Sequence, residues 1–206
     1  MLRFLAENLV RAFVWLATRL FYPLRVRGCE NLPARGGALL VSNHVSYADW
    51  VFVTAAAKRP VRFLIGKEFH DSPWLYPFVR VARVIPIPSA IRPREVVQAL
   101  EQCSDALCQG EIVCVFAEGG ITRTGQLQLF ERGLERIMEH ADAPIVPVAL
   151  QGVWGSIFSF AGGKAFWKWP SRLRRPVTVS FGPSLSARAT APEVHAAVEK
   201  LLAAEV

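Results

Sequence analysis

The chain is expected to fold as a single α/β domain, with a mixed but mostly parallel sheet flanked by helices. Three observations lead there. Short apolar runs bounded by glycine, proline or charged residues recur at 38–41, 61–65, 84–87, 112–116, 145–150 and 177–181. Between several of them lie segments long enough, and apolar at helical spacing, to cross back over a sheet. The run at 112–116 is continuous rather than alternating, as a strand covered on both faces requires. A length of 206 residues suffices for one domain with a sizeable core.

In chain order, residues 1–22 read as a helix that Pro23 ends. Arg3, Glu7, Arg11 and Thr18 share a narrow polar face, and leucines with Phe13, Trp15 and Phe21 fill a wide apolar arc. Such a helix can lie sideways in a lipid interface or pack on the domain's own core. A short strand at 24–28 and a turn rich in proline and glycine at 31–37 follow. The strand 38–41 runs into Ser42-Asn43-His44, and Asp49 stands where it can cap a helix over 50–57. A strand at 61–65 leads into Gly66-Lys67-Glu68. Pro73 then suits the first turn of a helix over 72–81. After the proline-broken strand 84–87, a helix spans 93–108 and closes at Gln109-Gly110. The strand 112–116 gives way to a polar, glycine-rich loop at 117–125. A helix over 130–140, strands at 145–150 and 177–181, and an alanine-rich helix over 192–204 complete the chain. The resulting division is a membrane-associating helix at 1–23 and one domain at 24–206.

Composition narrows the function classes. Hydrophobic residues make up 52%, charged residues 20%, and there are six Trp and thirteen Phe. Mean hydropathy is +0.27, yet no run of about 18 uncharged apolar residues exists, so no transmembrane helix is expected. High apolarity without a spanning segment fits either a membrane-surface protein or an ordinary buried core. The net charge of +7 suits nucleic acid, anionic lipid or an anionic substrate. Cys29, Cys103, Cys108 and Cys114 show neither a CxxC pair nor metal-ligand spacing. They read as buried thiols in a reducing cytosol, and no metal site is expected. The N-terminus lacks the pattern of a cleaved leader.

Chemistry concentrates in two loops that follow apolar strands. His44 and Asp49 form one pair: a strand fixes the histidine's backbone, and an acid can fix its tautomer. The other loop, 117–125, offers the Glu118 carboxylate, Gly119-Gly120 for close backbone approach, two threonines and Arg123. In open α/β sheets such loops gather at the carboxyl ends of strands.

These residues carry a resemblance. His44-x4-Asp49 after a strand, the block Val115-Phe116-Ala117-Glu118-Gly119, and Ala143-Pro144-Ile145-Val146-Pro147-Val148 match conserved blocks in order and separation. They resemble the first, third and fourth blocks of the phospholipid/glycerol acyltransferase family, over roughly residues 24–183. The stretch GGITRTGQL followed by a helix and PIVPVALQG is most similar to the acyltransferase half of bacterial 2-acylglycerophosphoethanolamine acyltransferases. The resemblance implies His44 as general base, Asp49 as its orienting acid, and Glu118 as a contact to the lipid acceptor. Gly119 and Gly120 would supply backbone N–H groups near the reacting carbonyl. Arg123, Lys67, Arg92 and Arg94 are candidates for phosphate contact. Ser46 is expected to hydrogen-bond within its loop. The acyl donor would be acyl-CoA or acyl-carrier protein, used as substrate, with no cofactor. Ala117 stands where the family usually has proline. Gly120 and Ile121 stand where many members that act on lysophosphatidic acid have arginine, and Ser89 stands where the second block usually ends in arginine. The departures point to a lysophospholipid whose phosphate is already esterified.

One segment remains. Residues 154–175 interleave Trp154, Phe158, Phe160, Phe166, Trp167 and Trp169 with Lys164, Lys168, Arg172, Arg174 and Arg175, and contain no acid. The mixture suits an anionic lipid interface, though it also suits single-stranded nucleic acid or a packed loop with a basic rim. With the N-terminal helix and the acyltransferase blocks, the expectation is an enzyme peripheral or monotopic at the cytoplasmic face of the inner membrane. It would acylate a lysophospholipid and bind no nucleic acid. Lysophosphatidic acid or an aminolipid as acceptor, or a non-catalytic lipid-binding module, are the alternatives.

Overall fold

Strand β2 (Ala38–Ser42) is buried along its whole length, and the sheet is built outward from it. The computed structural model describes residues 18–67, 83–88, 92–167 and 175–204, with Leu9, Ala12, Phe13, Trp15, Leu16, Asp71 and Val79. Most of the helices expected at 1–22 and 72–81, and Lys168, Trp169, Arg172 and Arg174, lie outside the described residues.

Among the described residues the elements are β1 (Leu24–Arg27), β2, α1 (Asp49–Ala56), β3 (Val61–Gly66), β4 (Ile85–Ile87), α2 (Pro93–Cys108), β5 (Ile112–Phe116), α3 (Gly133–Met138), β6 (Ile145–Gln151), β7 (Val177–Phe181) and α4 (Ala191–Ala203). The seven strands form one sheet in the order β1-β7-β6-β2-β5-β3-β4. Neighbours run parallel except β6 and β7, which are antiparallel. Strand β2 pairs with β5 from Ala38↔Ile112 to Ser42↔Phe116, so both strands end at the same level.

Alternation along these strands divides the core. Leu39, Val41, Val113 and Val115 face α2, α3 and α4, whereas Leu40, Cys114 and Val146 face α1 with its Phe52 and Val53. Both faces are covered, which is why β2 and β5 read as unbroken apolar runs. Helix α2 begins on Pro93, whose missing N–H costs nothing in a first turn. Its buried Ala99, Leu100, Cys103, Ala106 and Leu107 recur at helical spacing. Ser104 Oγ donates to Ile137 O at 2.6 Å and ties α2 to α3.

Several expectations need correction. The helix expected at 130–140 is only Gly133–Met138, because Phe130 is drawn into the core and the chain before it runs irregularly. Asp49 does not cap α1: Ala48 holds that position, and the carboxylate turns back toward the preceding loop. Cys108 is exposed and Cys29 half-buried, so only Cys103 and Cys114 are buried thiols. Burial pushes the Cys103 thiol up to about 12, and it raises Cys114 further with help from the Asp49 charge. Neither thiol is poised to react.

Candidate active site

Past Ser42 the β2–β5 ladder ends, and side chains take over the pairing. Asn43 is buried, and its amide replaces a ladder rung on β6: Nδ2 donates to Leu150 O at 3.1 Å and Oδ1 accepts from Leu150 N at 2.8 Å. That fixes where the chain leaves the sheet. His44 comes next. Its N–H donates to Glu118 Oε1 at 2.7 Å, and its C=O accepts from Thr122 N at 2.9 Å. Its ring stacks on Phe116, centroids 4.1 Å apart and planes 14° off parallel.

His44 Nδ1 and Asp49 Oδ2 are 2.8 Å apart. Asp49 is fully buried, and the same Oδ2 accepts from Val45 N at 2.7 Å and Ser46 N at 2.9 Å. Its Oδ1 accepts from Ser46 Oγ at 2.6 Å. The carboxylate has donors at both of its oxygens. It can only accept, so Nδ1 carries the imidazole proton and Nε2 keeps its lone pair. Ser46 Oγ also accepts from Ala48 N at 3.1 Å, so the hydroxyl is spent on the loop.

His44 lines a cavity of about 1590 Å³ that straddles the carboxyl ends of the strands. That exceeds the roughly 300–1,000 Å³ of pockets for drug-sized ligands and suits a long-chain lipid. Its walls are mostly apolar and include Phe52, Leu64, Leu100, Leu134 and Ile137. Tyr47, Arg123, Glu131 and Arg175 are polar residues on its lining. The Arg123 guanidinium lies 3.6 Å from the centroid of the Phe160 ring, a cation–π contact that leaves its edge N–H groups for other partners.

The residues expected at the site fall into two sets. His44, Asp49, Glu118, Gly119, Gly120 and Arg123 converge on the β2 and β5 loops. Of these, Glu118 is not part of the cavity lining. It is 8% exposed, and its Oε2 accepts from Gln128 N at 3.1 Å. Burial raises the carboxyl above the ordinary glutamate range, and the two N–H donors partly offset this. Gly119 has φ 71, a left-handed conformation that favours glycine, and its N–H is committed to Phe116 O at 3.2 Å. Lys67 and Arg92 do not line the cavity. Lys67 and Arg94 are exposed, and Arg92 pairs with Glu95 at 2.8 Å.

Sequence reasoning missed Asn43, Glu131 and the placement of Arg175. Arg175 stood in the basic segment, but only the fold brings its guanidinium against Gly155, where a Cβ would lie 2.5 Å from Nη1. Glu131 lacked any local signal. Among the described residues no group of three potential metal ligands occurs.

A histidine oriented by a buried acid, at the mouth of an apolar cavity on a parallel sheet, belongs to a recognisable class. The acyltransferase family model matches residues 23–151, and the chain belongs to that family. The fold is similar to the crystal structure of the 1-acyl-sn-glycerophosphate acyltransferase PlsC from Thermotoga maritima. The TM-score is 0.75 at 19% identity, covering 97% of this chain and 77% of that one. The 1-acyl-sn-glycerol-3-phosphate acyltransferase of Bacillus subtilis is 27% identical over 142 residues, which are 68% of this chain and 69% of that protein. The chloroplastic 1-acyl-sn-glycerol-3-phosphate acyltransferase LPAT1 of Arabidopsis thaliana is 28% identical over 133 residues, 64% of this chain and 37% of that protein. The lyso-ornithine lipid O-acyltransferase of Brucella abortus is 30% identical over 149 residues, 71% of this chain and 54% of that protein. The chain therefore spans about a third to a half of the Arabidopsis and Brucella relatives.

Proposed function

We propose that the protein transfers a fatty acyl group from a thioester, acyl-CoA or acyl-carrier protein, to the free hydroxyl of a lysophospholipid at a membrane surface. The observation that carries this reading is the His44 imidazole, held by Asp49 at 2.8 Å with Nε2 free beside an apolar cavity. Nε2 takes the proton of the acceptor hydroxyl as its oxygen attacks the thioester carbonyl carbon. Collapse of the tetrahedral intermediate breaks the C–S bond. The imidazolium returns the proton to the departing thiolate, leaving an ester and a free thiol. Asp49 stabilises the imidazolium between these steps. The Gly119 N–H is already bonded, which leaves Gly120, on the cavity wall, as the backbone donor for the oxyanion. No cofactor enters the reaction.

Arg123 and Arg175 provide positive charge for the acceptor's phosphate. Gly120 and Ile121 bring no charge to positions where many members acting on lysophosphatidic acid have arginine, which supports an acceptor needing less charge neutralisation than a phosphate monoester. A lyso-aminolipid, as in the Brucella relative's name, is the second reading. Described side chains beside the cavity support work at the lipid interface: Leu20 and Phe21 are exposed, as are Phe166 and Trp167. Placement at the cytoplasmic face follows from where acyl thioesters are supplied.

The test is acylation of a panel of lyso-lipids (phosphatidic, phosphodiester and aminolipid headgroups) with both thioester donors. Wild type should acylate at least one, and His44→Ala should lose about 10²–10⁴-fold in kcat. Equal transfer by both proteins would overturn the mechanism. Binding of the panel without transfer would assign a lipid-binding module instead.

A further inference from the structure

We infer that Glu118 is a positioning residue, which holds the backbone of His44 in place rather than touching the lipid acceptor. The inference rests on the acyl-transfer reading for its kinetic arm only. Strand pairing between β2 and β5 ends at Ser42↔Phe116, and no backbone rung follows it. His44 N–H would be left without a partner there. Glu118, two residues past the end of β5, supplies the missing acceptor through Oε1 at 2.7 Å. Its Oε2 is bonded to Gln128 N at 3.1 Å, which closes the same loop upon itself. The loop returns to His44 a second time, where Thr122 N–H donates to His44 O at 2.9 Å. Both polar groups of the His44 peptide backbone are thus gripped by one loop.

Thr122 is placed to do this. Its side chain is fully buried and organises the turn: Oγ1 donates to Gln126 O at 3.0 Å and accepts from Gly125 N at 3.2 Å. The cavity lining runs through Ala117, Gly119, Gly120, Ile121 and Arg123 but passes over Glu118 and Thr122. A carboxylate that is 8% exposed, bonded through each oxygen and absent from the cavity wall is not presented to a substrate. Burying a charge is costly, and here the buried carboxylate fixes the backbone that aims Nε2.

The experiment compares Glu118→Ala, Glu118→Gln and Arg123→Ala. In ¹⁵N-labelled protein, Glu118→Ala should speed exchange of the His44 amide at least tenfold, while Leu40 and Val113 in the adjoining strands keep theirs. Kinetically, kcat should fall about 10²-fold, with acceptor KM within twofold of wild type. Glu118→Gln should lie between, because its Oε1 can still accept from His44 N–H while its amide N–H meets that of Gln128. Arg123→Ala should raise acceptor KM instead. An unchanged His44 amide, or a tenfold rise in acceptor KM with kcat intact in Glu118→Gln, would overturn the assignment. Failure of wild type to acylate any lyso-lipid would defeat the proposed function, and the amide measurement would still decide the clamp.

Discussion

The Asp49 carboxylate accepts from four donors, and exchanging one oxygen for an NH₂ group disturbs those that fall on it. In Asp49→Asn, Oδ1 can satisfy some of these donors, but the amide nitrogen meets either two backbone N–H groups or the Ser46 hydroxyl. The His44 tautomer is then no longer enforced. The expected outcome is a loss in kcat of roughly 10³–10⁴-fold, comparable with removing the orienting acid of a hydrolase triad. Stability should fall by about 1–3 kcal/mol from unsatisfied buried donors. Steady-state kinetics and urea unfolding measure the two effects separately. The pair was legible at this scale because its members lie five positions apart on one loop. Glu118 was legible as important but not as to role. Its bond to His44 joins residues 74 apart, so the sequence shows a carboxylate beside two glycines and hides what the carboxylate faces.

Among the secondary-structure elements, β2 governs the site, and its entry is held as firmly as its exit. Gly37 precedes it, and a Cβ there would lie 2.2 Å from Leu107 O in α2. Arg59, after α1, reaches back to the same corner. It donates to Pro33 O at 2.9 Å, Gly36 O at 2.7 Å and Gly110 O at 2.6 Å. One guanidinium thereby joins the turns that lead into β2 and β5, the two strands whose far ends lead to His44 and Glu118. Arg59→Met keeps much of the stem and removes the donors. It should lower stability by about 1–3 kcal/mol by thermal unfolding, and Arg59→Lys should restore little, because a single ammonium cannot span the fork. Strand positions were readable from apolar runs, since burial on both faces leaves no alternation to misread. The short α3 was misjudged because Phe130 sits at helical spacing from later residues yet packs from an irregular segment.

At the scale of the whole molecule, positive net charge and exposed apolar side chains occur together. The chain carries +7 net charge. Trp167 is 87% exposed beside Phe166, whose φ of 65 is unusual for a large side chain. Phe166 packs on Tyr47 and Phe158, which line the cavity, so this surface is continuous with the cavity mouth. Among the described residues no helix is long and apolar enough to cross a membrane. In flotation assays the protein should partition onto vesicles containing anionic lipid, with added salt weakening the binding. Trp167→Ala should reduce partitioning several-fold without changing the far-UV spectrum. Equal recovery with zwitterionic and anionic vesicles would show that the charge plays no part. The sequence by itself determined the α/β class, the strand sequence and the His44–Asp49 pair, because apolar runs and short loops are local and the pair needs only one turn of chain. Tertiary structure alone decided that β2 and β5 lie side by side, so that Glu118 grips His44 while Arg123 and Arg175 face the cavity and Lys67 and Arg92 do not. Those placements depend on strand order and register, which arise from packing across the whole sheet and leave no mark on neighbouring residues in the chain.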